Sequence, residues 1–530
     1  MIAGQRSSRT ASRREVGDLR GRRPAAFVPA TPDSAARGEK SSSTFMRHLV
    51  IFTLANGTSL ACNGLLTFLL PRWLSMENYG CFRLFVLYGG FTGLLHLGLL
   101  DGALLRWASA PRRRLRREAW PGLVFLLTQH FALLTPLLLV LPVCVHTRAL
   151  FAFVPTALYA VAWNAAVLGQ FGLQAERSFV LLSAATLVHP ALLLGMVCEL
   201  KRENRLTLGL LFAAYLGAMF AAAIVVWVVL LRRYPATRFL RGKSRVAQAW
   251  RVGWRNIVAG WGVLLAAGLT NLALSLDRLA VSLSFPLRDF AIYSLAATAM
   301  AVVNSMILST SRVLFPYLAQ GVGQERQRQV YGWGESCLMA VWAISLAAYF
   351  PLRRLIEEVL PGYAPSLPIL RLLMLATGMT GIIYILHNNY FRSHRRLGGL
   401  LFGAGVGLLT ATLLLAVARR SGSLGNMAWA MLAAITVWWA AEEYMLQDLA
   451  GRSLHDIGKT LLFMAACGGC FFGCASMQRE GVGLAVYGAA ALGLTTFTYG
   501  QTLQALPRPA WLGCLRRRKA QPPGQVLSLR

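Results

Sequence analysis

Charge is what this chain has least of. Asp, Glu, Lys and Arg make up 14% of its 530 residues, hydrophobic residues 56%, and the mean hydropathy is +0.52. Soluble domains carry roughly a quarter charged residues, so a water-exposed surface of ordinary composition is excluded. Acidic residues are scarcer still, 21 against 53 Lys and Arg, which leaves a net charge of +32. The first 47 residues lack the apolar core of a secretory signal. They are rich in Arg and Ser, and Glu15, Asp18, Asp33 and Glu39 speak against a transit peptide. We read 1–47 as a disordered basic cytoplasmic tail, with a start at Met46 equally compatible with that reading. No connector between apolar runs is long enough to fold separately. That removes the cytosolic domain or large outer loop on which membrane glycosyltransferases, polymerases and ligases usually build a catalytic pocket, and the chain is read as a non-enzyme. The nine cysteines are scattered. Cys467, Cys470 and Cys474 share a helical face, but no fourth ligand or nearby His completes a metal site. The run CGGCFFGC fits small-residue helix packing instead, and no metal or cofactor is expected apart from a coupling Na⁺ or H⁺.

What the chain does have is apolar runs of roughly 20 residues, the length a helix needs to cross ~30 Å of hydrocarbon. About fourteen follow His48, including span 1 at 48–70, span 2 at 82–104, span 7 at 257–281 and span 8 at 290–316. With the N-terminus inside, 37 of the Lys and Arg fall on cytoplasmic segments, 9 on the opposite loops and 7 within spans. This is the positive-inside asymmetry, and it puts both termini in the cytoplasm of a bacterial inner-membrane protein. The charge therefore serves topology and lipid headgroups, and nucleic acid is not an expected partner.

An internal repeat organises the spans. LSMENYGCFRLF (74–85) parallels FPLRDFAIYSLA (285–296) at an offset of 211, each a short link into a new helix. The expected architecture is an all-α membrane protein with a six-helix lobe at 48–231, a basic cytoplasmic linker at 232–256 and a second six-helix lobe at 257–446. An added helix pair at 459–504 and a basic tail at 505–530 follow. Repeats of six spans share orientation, so their axis lies along the membrane normal. Polar residues concentrate in spans 1, 2, 7 and 8, where burial in lipid is costly, about 2.5–3.5 kcal/mol for a central charge. Asn56, Ser59, Asn63 and Thr67 share a face of span 1, and Asn271, Ser275, Arg278 and Ser282 a face of span 7. Arg83 and Asp101 are spaced to share a face of span 2, and Arg312 closes a polar stripe on span 8. Asp277 neighbours Arg278. The expected substrate cavity between the halves is lined by Arg278, Arg312, Asp277, Asp101, Arg83, Asn56, Asn63, Asn271 and Ser275. Its cationic, hydroxyl-binding lining suits a pyrophosphate joined to sugars. The competing reading lets Arg83, Asp101, Asp277 and Arg278 reach the interface from span ends. His387, Asn388, Glu442 and Glu443, at the inner ends of spans 10 and 12, are further candidates.

Short signatures in order resemble the Wzx-type polysaccharide flippases of the multidrug/oligosaccharidyl-lipid/polysaccharide exporter superfamily. They are LSMENYGCFRLF (74–85), HLGLLDGALLRWA (96–108), SLDRLAVS (275–282) with FAIYSLA (290–296), VLFPYLAQ (313–320), PGYAPSLPILRLLMLA (361–376) and GSLGNMAWAMLAA (422–434). Ala291 stands where the family's second link has Gly. The resemblance covers about 46–450 and implies an inverted-V exporter fold whose two lobes rock in alternating access. It also implies a polyprenyl-pyrophosphate-linked oligosaccharide cargo, such as an O-antigen or exopolysaccharide repeat unit, with a polysaccharide polymerase and chain-length regulator as partners. In the related lipid II flippases cavity arginines on helices 1, 2 and 8 matter. Here Arg83 and Arg312 are similar in helix position while helix 1 carries asparagines, which favours another cargo. A multidrug or cation antiporter of the same superfamily and a membrane-embedded polymerase or ligase are the alternatives.

Overall fold

The structure is a computed structural model. It describes residues 32–109, 111–144, 147–235, 245–318, 324–394 and 396–504; the side chains of some of these, 303–318 among them, lie outside the described set. The first 31 residues, residues 236–244 of the linker and the tail from 505 are outside it as well. Every regular element among the described residues is helical. In chain order they are α1 (Pro32–Trp73), α2 (Met76–Gly89), α3 (Leu99–Ser109), α4 (Pro111–Cys144), α5 (Thr147–Ala175), α6 (Phe179–Arg202), α7 (Leu208–Arg233), α8 (Arg245–Ser284) and α9 (Leu287–Leu318). Then come α10 (Gln324–Leu346), α11 (Tyr349–Val359), α12 (Ser366–Ile382), α13 (Asn388–Ser393), α14 (Leu397–Arg419), α15 (Leu424–Ala450), α16 (Leu454–Ala475) and α17 (Glu480–Gln504). Among the described residues eleven helices are long and apolar enough to cross a membrane, and twelve when the bent pair α2–α3 counts as one. The helices carrying predicted spans 1 and 8, α1 and α9, have side chains only partly within the described set and stand outside that count.

Two helices begin earlier than hydropathy placed them. α1 starts at Pro32, inside the expected tail, where Pro suits a first helical turn and no further proline follows until Pro71. α8 starts at Arg245, inside the expected linker, and its 40 residues make it about 60 Å long. Arg245, Arg251, Arg255 and Asn256 depress the hydropathy of that first stretch. Val246, Trp250, Trp254, Val258 and Trp261 nevertheless form an exposed apolar stripe along it, which prolongs the lipid-facing side of the helix.

Span 2 is not one helix. It breaks after Gly89, passes through a 3-10 turn at Thr92–His96 and restarts at Leu99 with a 59° bend. Leu97 and Gly98 both have positive φ, 51° and 90°, a conformation that glycine adopts without strain. The freed carbonyls are satisfied by side chains from three other helices, the condition for irregular backbone inside a membrane. Asn271 on α8 donates to Gly90 O (3.0 Å), Asn164 on α5 to Thr92 O (2.9 Å) and Gln129 on α4 to Leu95 O (2.9 Å). Arg83 and Asp101 therefore sit on different helical segments, and their spacing of eighteen residues does not put them on one face.

Two close crossings set how the halves meet. At α3–α8 a Cβ on Gly102 would lie 1.8 Å from Asn256 O, and one on Gly260 2.0 Å from Gly98 O. Only glycines permit that backbone approach. Arg106 bridges the same crossing, donating to Asn256 Oδ1 and Glu118 Oε1, both at 2.7 Å. At α2–α9 the two copies of the repeated link touch, and a Cβ on Gly80 would meet Leu287 O at 2.5 Å. The last two helices pack on the second half. Arg353 on α11 donates to Ala475 O at the end of α16 (3.1 Å) and pairs with Glu480 at the start of α17 (3.2 Å).

Candidate functional site

A cavity of about 290 Å³ opens where α1, α2, α6, α7, α8 and α9 converge, near the lower end of the range for small-ligand pockets. Each wall follows from local sequence. α2 is started by Ser75, whose hydroxyl accepts from Asn78 N (3.3 Å). That start puts Tyr79, Phe82, Arg83 and Val86, at helical spacings of three and four, on the cavity side. α1 contributes Asn63 and Thr67, one turn apart, and α9 contributes Thr298. The far wall is apolar and aromatic: Leu193 and Val197 of α6, Leu211 and Tyr215 of α7. Tyr215 is held edge-on by Phe82 and Phe85, with ring centroids 5.9 and 5.1 Å away.

Two guanidinium groups from opposite halves line this space, Arg83 from α2 and Arg278 from α8, and no carboxylate is among the lining residues. Arg278 is oriented by its own helix: Nη2 donates to Ser275 Oγ at 2.8 Å and to Leu274 O at 3.4 Å. Its Nε stands 3.8 Å from Asp277 Oδ1, a loose ion pair between sequence neighbours that the helical spacing alone argues against. Asp277 itself is 5% exposed and turned away, accepting from Tyr293 OH (2.8 Å) and from the Arg278 backbone N–H (2.7 Å). The Nε of Arg83 is buried with no hydrogen-bond partner among the described residues. Two partly buried cations share this cavity, and the one carboxylate beside them, Asp277, is loosely paired with Arg278 and lies outside the lining; an anion in the space relieves the remaining positive charge.

Of the nine expected cavity residues, the structure brings Asn63, Arg83 and Arg278 together around this space, with Ser275 behind Arg278. Asn56 lies two turns along α1 from Asn63 and is not a lining residue. Asn271 serves the broken helix through Gly90 O. Asp101 lies beyond the break on α3, its Oδ2 3.8 Å from His96 Nε2. The Arg312 side chain falls outside the described residues. Sequence reasoning missed Tyr79, Phe82 and the α6–α7 wall, because an aromatic in an apolar run carries no periodic signal of its own. Tyr215, the one tyrosine inside the apolar run 207–231, was the available hint.

No protein-family model matches the chain, and no curated protein matches it by sequence. Solved structures do. The lipid II flippase MurJ in an inward closed conformation is similar with a TM-score of 0.64 at 10% identity, over 85% of this chain and 99% of that one. An inward-facing multidrug resistance MATE family transporter of the MOP superfamily is similar with a TM-score of 0.55 at 12% identity, over 76% and 96%. This chain has the fold of a MOP-superfamily transporter. Identities this low establish the fold, and the chemistry of the MOP-fold cavity here has to be argued from its own residues.

Proposed function

We propose that this chain is a flippase that moves polyprenyl-pyrophosphate-linked oligosaccharide, an O-antigen or exopolysaccharide repeat unit, across the bacterial inner membrane. One observation carries the reading: arginines from both halves share one cavity without a carboxylate. A guanidinium presents paired donors that match phosphate oxygens, and two of them flank a diphosphate better than any neutral or cationic cargo. Asn63, Thr67, Thr298, Tyr79 and Tyr215 supply hydroxyl and amide contacts for sugars, while the polyprenyl tail stays in lipid. The six-helix lobes 48–231 and 257–446, both with cytoplasmic ends, alternate access to the cavity. Arg83 and Arg278 belong to different lobes, so rocking changes their separation and hence the grip on the diphosphate. The lipid II flippase among the structural neighbours supports a lipid-linked cargo. A polymerase and a chain-length regulator are the expected partners.

In a deletion strain complemented with variants, Arg83→Ala and Arg278→Ala are expected to abolish surface glycan at unchanged protein level. Normal glycan with both replaced would overturn the assignment. Drug-stimulated uptake into vesicles would favour the antiporter. Unpolymerised glycan accumulating on the outer face of the deletion strain would favour a polymerase or ligase.

A further inference from the structure

Away from the cavity, α10, α12, α15, α16 and α17 enclose a network of ionisable side chains. His387 sits at the end of a π turn (Ile383–His387) that follows α12. Its Nδ1 is 2.7 Å from Glu442 Oε2 and its Nε2 3.2 Å from Glu443 Oε1, and all three side chains are 0% exposed. Trp438 Nε1 donates to Glu442 (2.8 Å) and Tyr331 OH to Glu443 (2.7 Å). Arg452, in the α15–α16 connector, grips Glu335 of α10 with both terminal nitrogens, one at 2.7 Å. Thr460 of α16 donates to the same carboxylate at 2.7 Å, and Tyr499 of α17 donates to Thr460 at 3.4 Å. One contact is unfinished. Glu443 Oε2 and Arg452 Nε face each other at 3.7 Å, both buried and neither hydrogen-bonded among the described residues.

The charges do not balance. Three carboxylates, Glu335, Glu442 and Glu443, face one fixed cation, Arg452, and His387 supplies a second cation at most. With His387 protonated the group still carries one negative charge, and an uncompensated buried charge costs several kcal/mol. Among the described residues the surrounding elements bring no further cation into ion-pair reach of these carboxylates. α14 presents Gly403 to Glu442, and α13 presents the Tyr390 ring to Tyr331. Arg328 of α10 packs on Gly451, Lys459 caps the Tyr499 ring at 5.3 Å, and Asp456 is held by Ser453 with His455 beside it. α9 also packs on the π turn, with its Arg312 side chain outside the described residues.

We infer that this network is a proton-binding site that takes up one proton and thereby sets how the α16–α17 pair seats on the second lobe. With Glu443 protonated, the 3.7 Å pairing of Arg452 Nε with Glu443 Oε2 is given up and Arg452 belongs to Glu335 alone. With Glu443 ionised, both carboxylates compete for Arg452, which draws the connector toward α15 and loosens the Glu335–Thr460–Tyr499 chain. Gly451, at φ 63°, and the Ser453 N-cap make that connector a short hinge between two helix ends.

The test uses the full chain in lipid nanodiscs with ¹³C-labelled glutamate. Infrared titration over roughly pH 8 to 5 is expected to show one protonated glutamate band in the native protein, lost in Glu443→Gln, whose network is neutral without it. Hydrogen-exchange protection across residues 447–460, corrected for the intrinsic pH dependence of amide exchange, is expected to rise on acidification in the native chain and to be pH-independent in the variant. A native protein with no such band, or a Glu443→Gln variant with the native response, overturns the inference, and the native titration decides even where the variant fails to fold. Loss of the band on adding Na⁺ at fixed pH would overturn it in favour of a metal cation. A second band in Arg312→Ala would overturn the charge count by placing Arg312 in the network. Arg278→Ala is expected to titrate as native, so this site and the cavity stand or fall separately.

Discussion

A cavity that holds a diphosphate between Arg83 and Arg278 makes a quantitative demand on affinity. Arg278 has Nη2 committed to Ser275 Oγ and Leu274 O, which leaves Nη1 for a ligand and fixes the plane of the fork. Removing a hydrogen bond to a charged group costs about 1.5–3 kcal/mol, and each 1.4 kcal/mol is tenfold in affinity. Arg278→Gln, keeping bulk and losing charge, is therefore expected to weaken binding of a polyprenyl-diphosphate saccharide about 10- to 150-fold. Arg83→Gln should do the same from the other lobe. Arg278→Lys keeps the charge but loses the oriented fork and should fall between native and Gln. If both arginines hold one diphosphate, the double variant falls short of the product of the single effects by about twofold or more, an interaction energy of ~0.5 kcal/mol or above. The assay is ligand titration against nanodisc-embedded protein, with a neutral glycolipid of the same saccharide and tail as control. Single effects that multiply cleanly, or a neutral lipid that loses as much affinity as the diphosphate, would refute the shared grip.

Tyr293→Phe removes the donor to Asp277 Oδ2 inside a buried site and should lower stability by about 1–3 kcal/mol. Thermal unfolding in detergent would read this, with little change in diphosphate affinity, since Asp277 faces away from the cavity. Gly102→Ala places a methyl 1.8 Å from Asn256 O and forces α3 and α8 apart. Overpacking of this kind costs typically 1–3 kcal/mol, and a variant melting at the native temperature would show that the crossing is looser than the structure has it.

Much of the architecture was legible in order along the chain, because lipid imposes one rule that composition obeys everywhere. A segment whose backbone must satisfy itself in hydrocarbon is a helix, and its apolar length announces it. The two links that the sequence pairs at offset 211 touch in the structure, at Gly80 and Leu287. Hydropathy misplaced the starts of α1 and α8, since a helix can continue through charged residues that a window average counts as loop. The broken second span was hidden for a related reason. Its glycines allow a break, but Asn164, Gln129 and Asn271, which accept the cost of it, lie far away in sequence.

The site divides along the same line. Periodicity alone grouped Asn63 with Thr67 and Ser275 with Arg278, because residues three and four apart on a helix share a face whatever surrounds them. Which of those faces meet across the lobes was a tertiary matter. Packing put Arg83 and Arg278 into one space, turned Asp277 toward Tyr293, gave Asn271 to a backbone carbonyl and gathered His387, Glu442, Glu443, Glu335 and Arg452 from four separate segments. Chain sequence determines the inventory of polar groups and the helices that bear them. Only the fold decides which of those groups find partners within the protein and which are left facing a ligand.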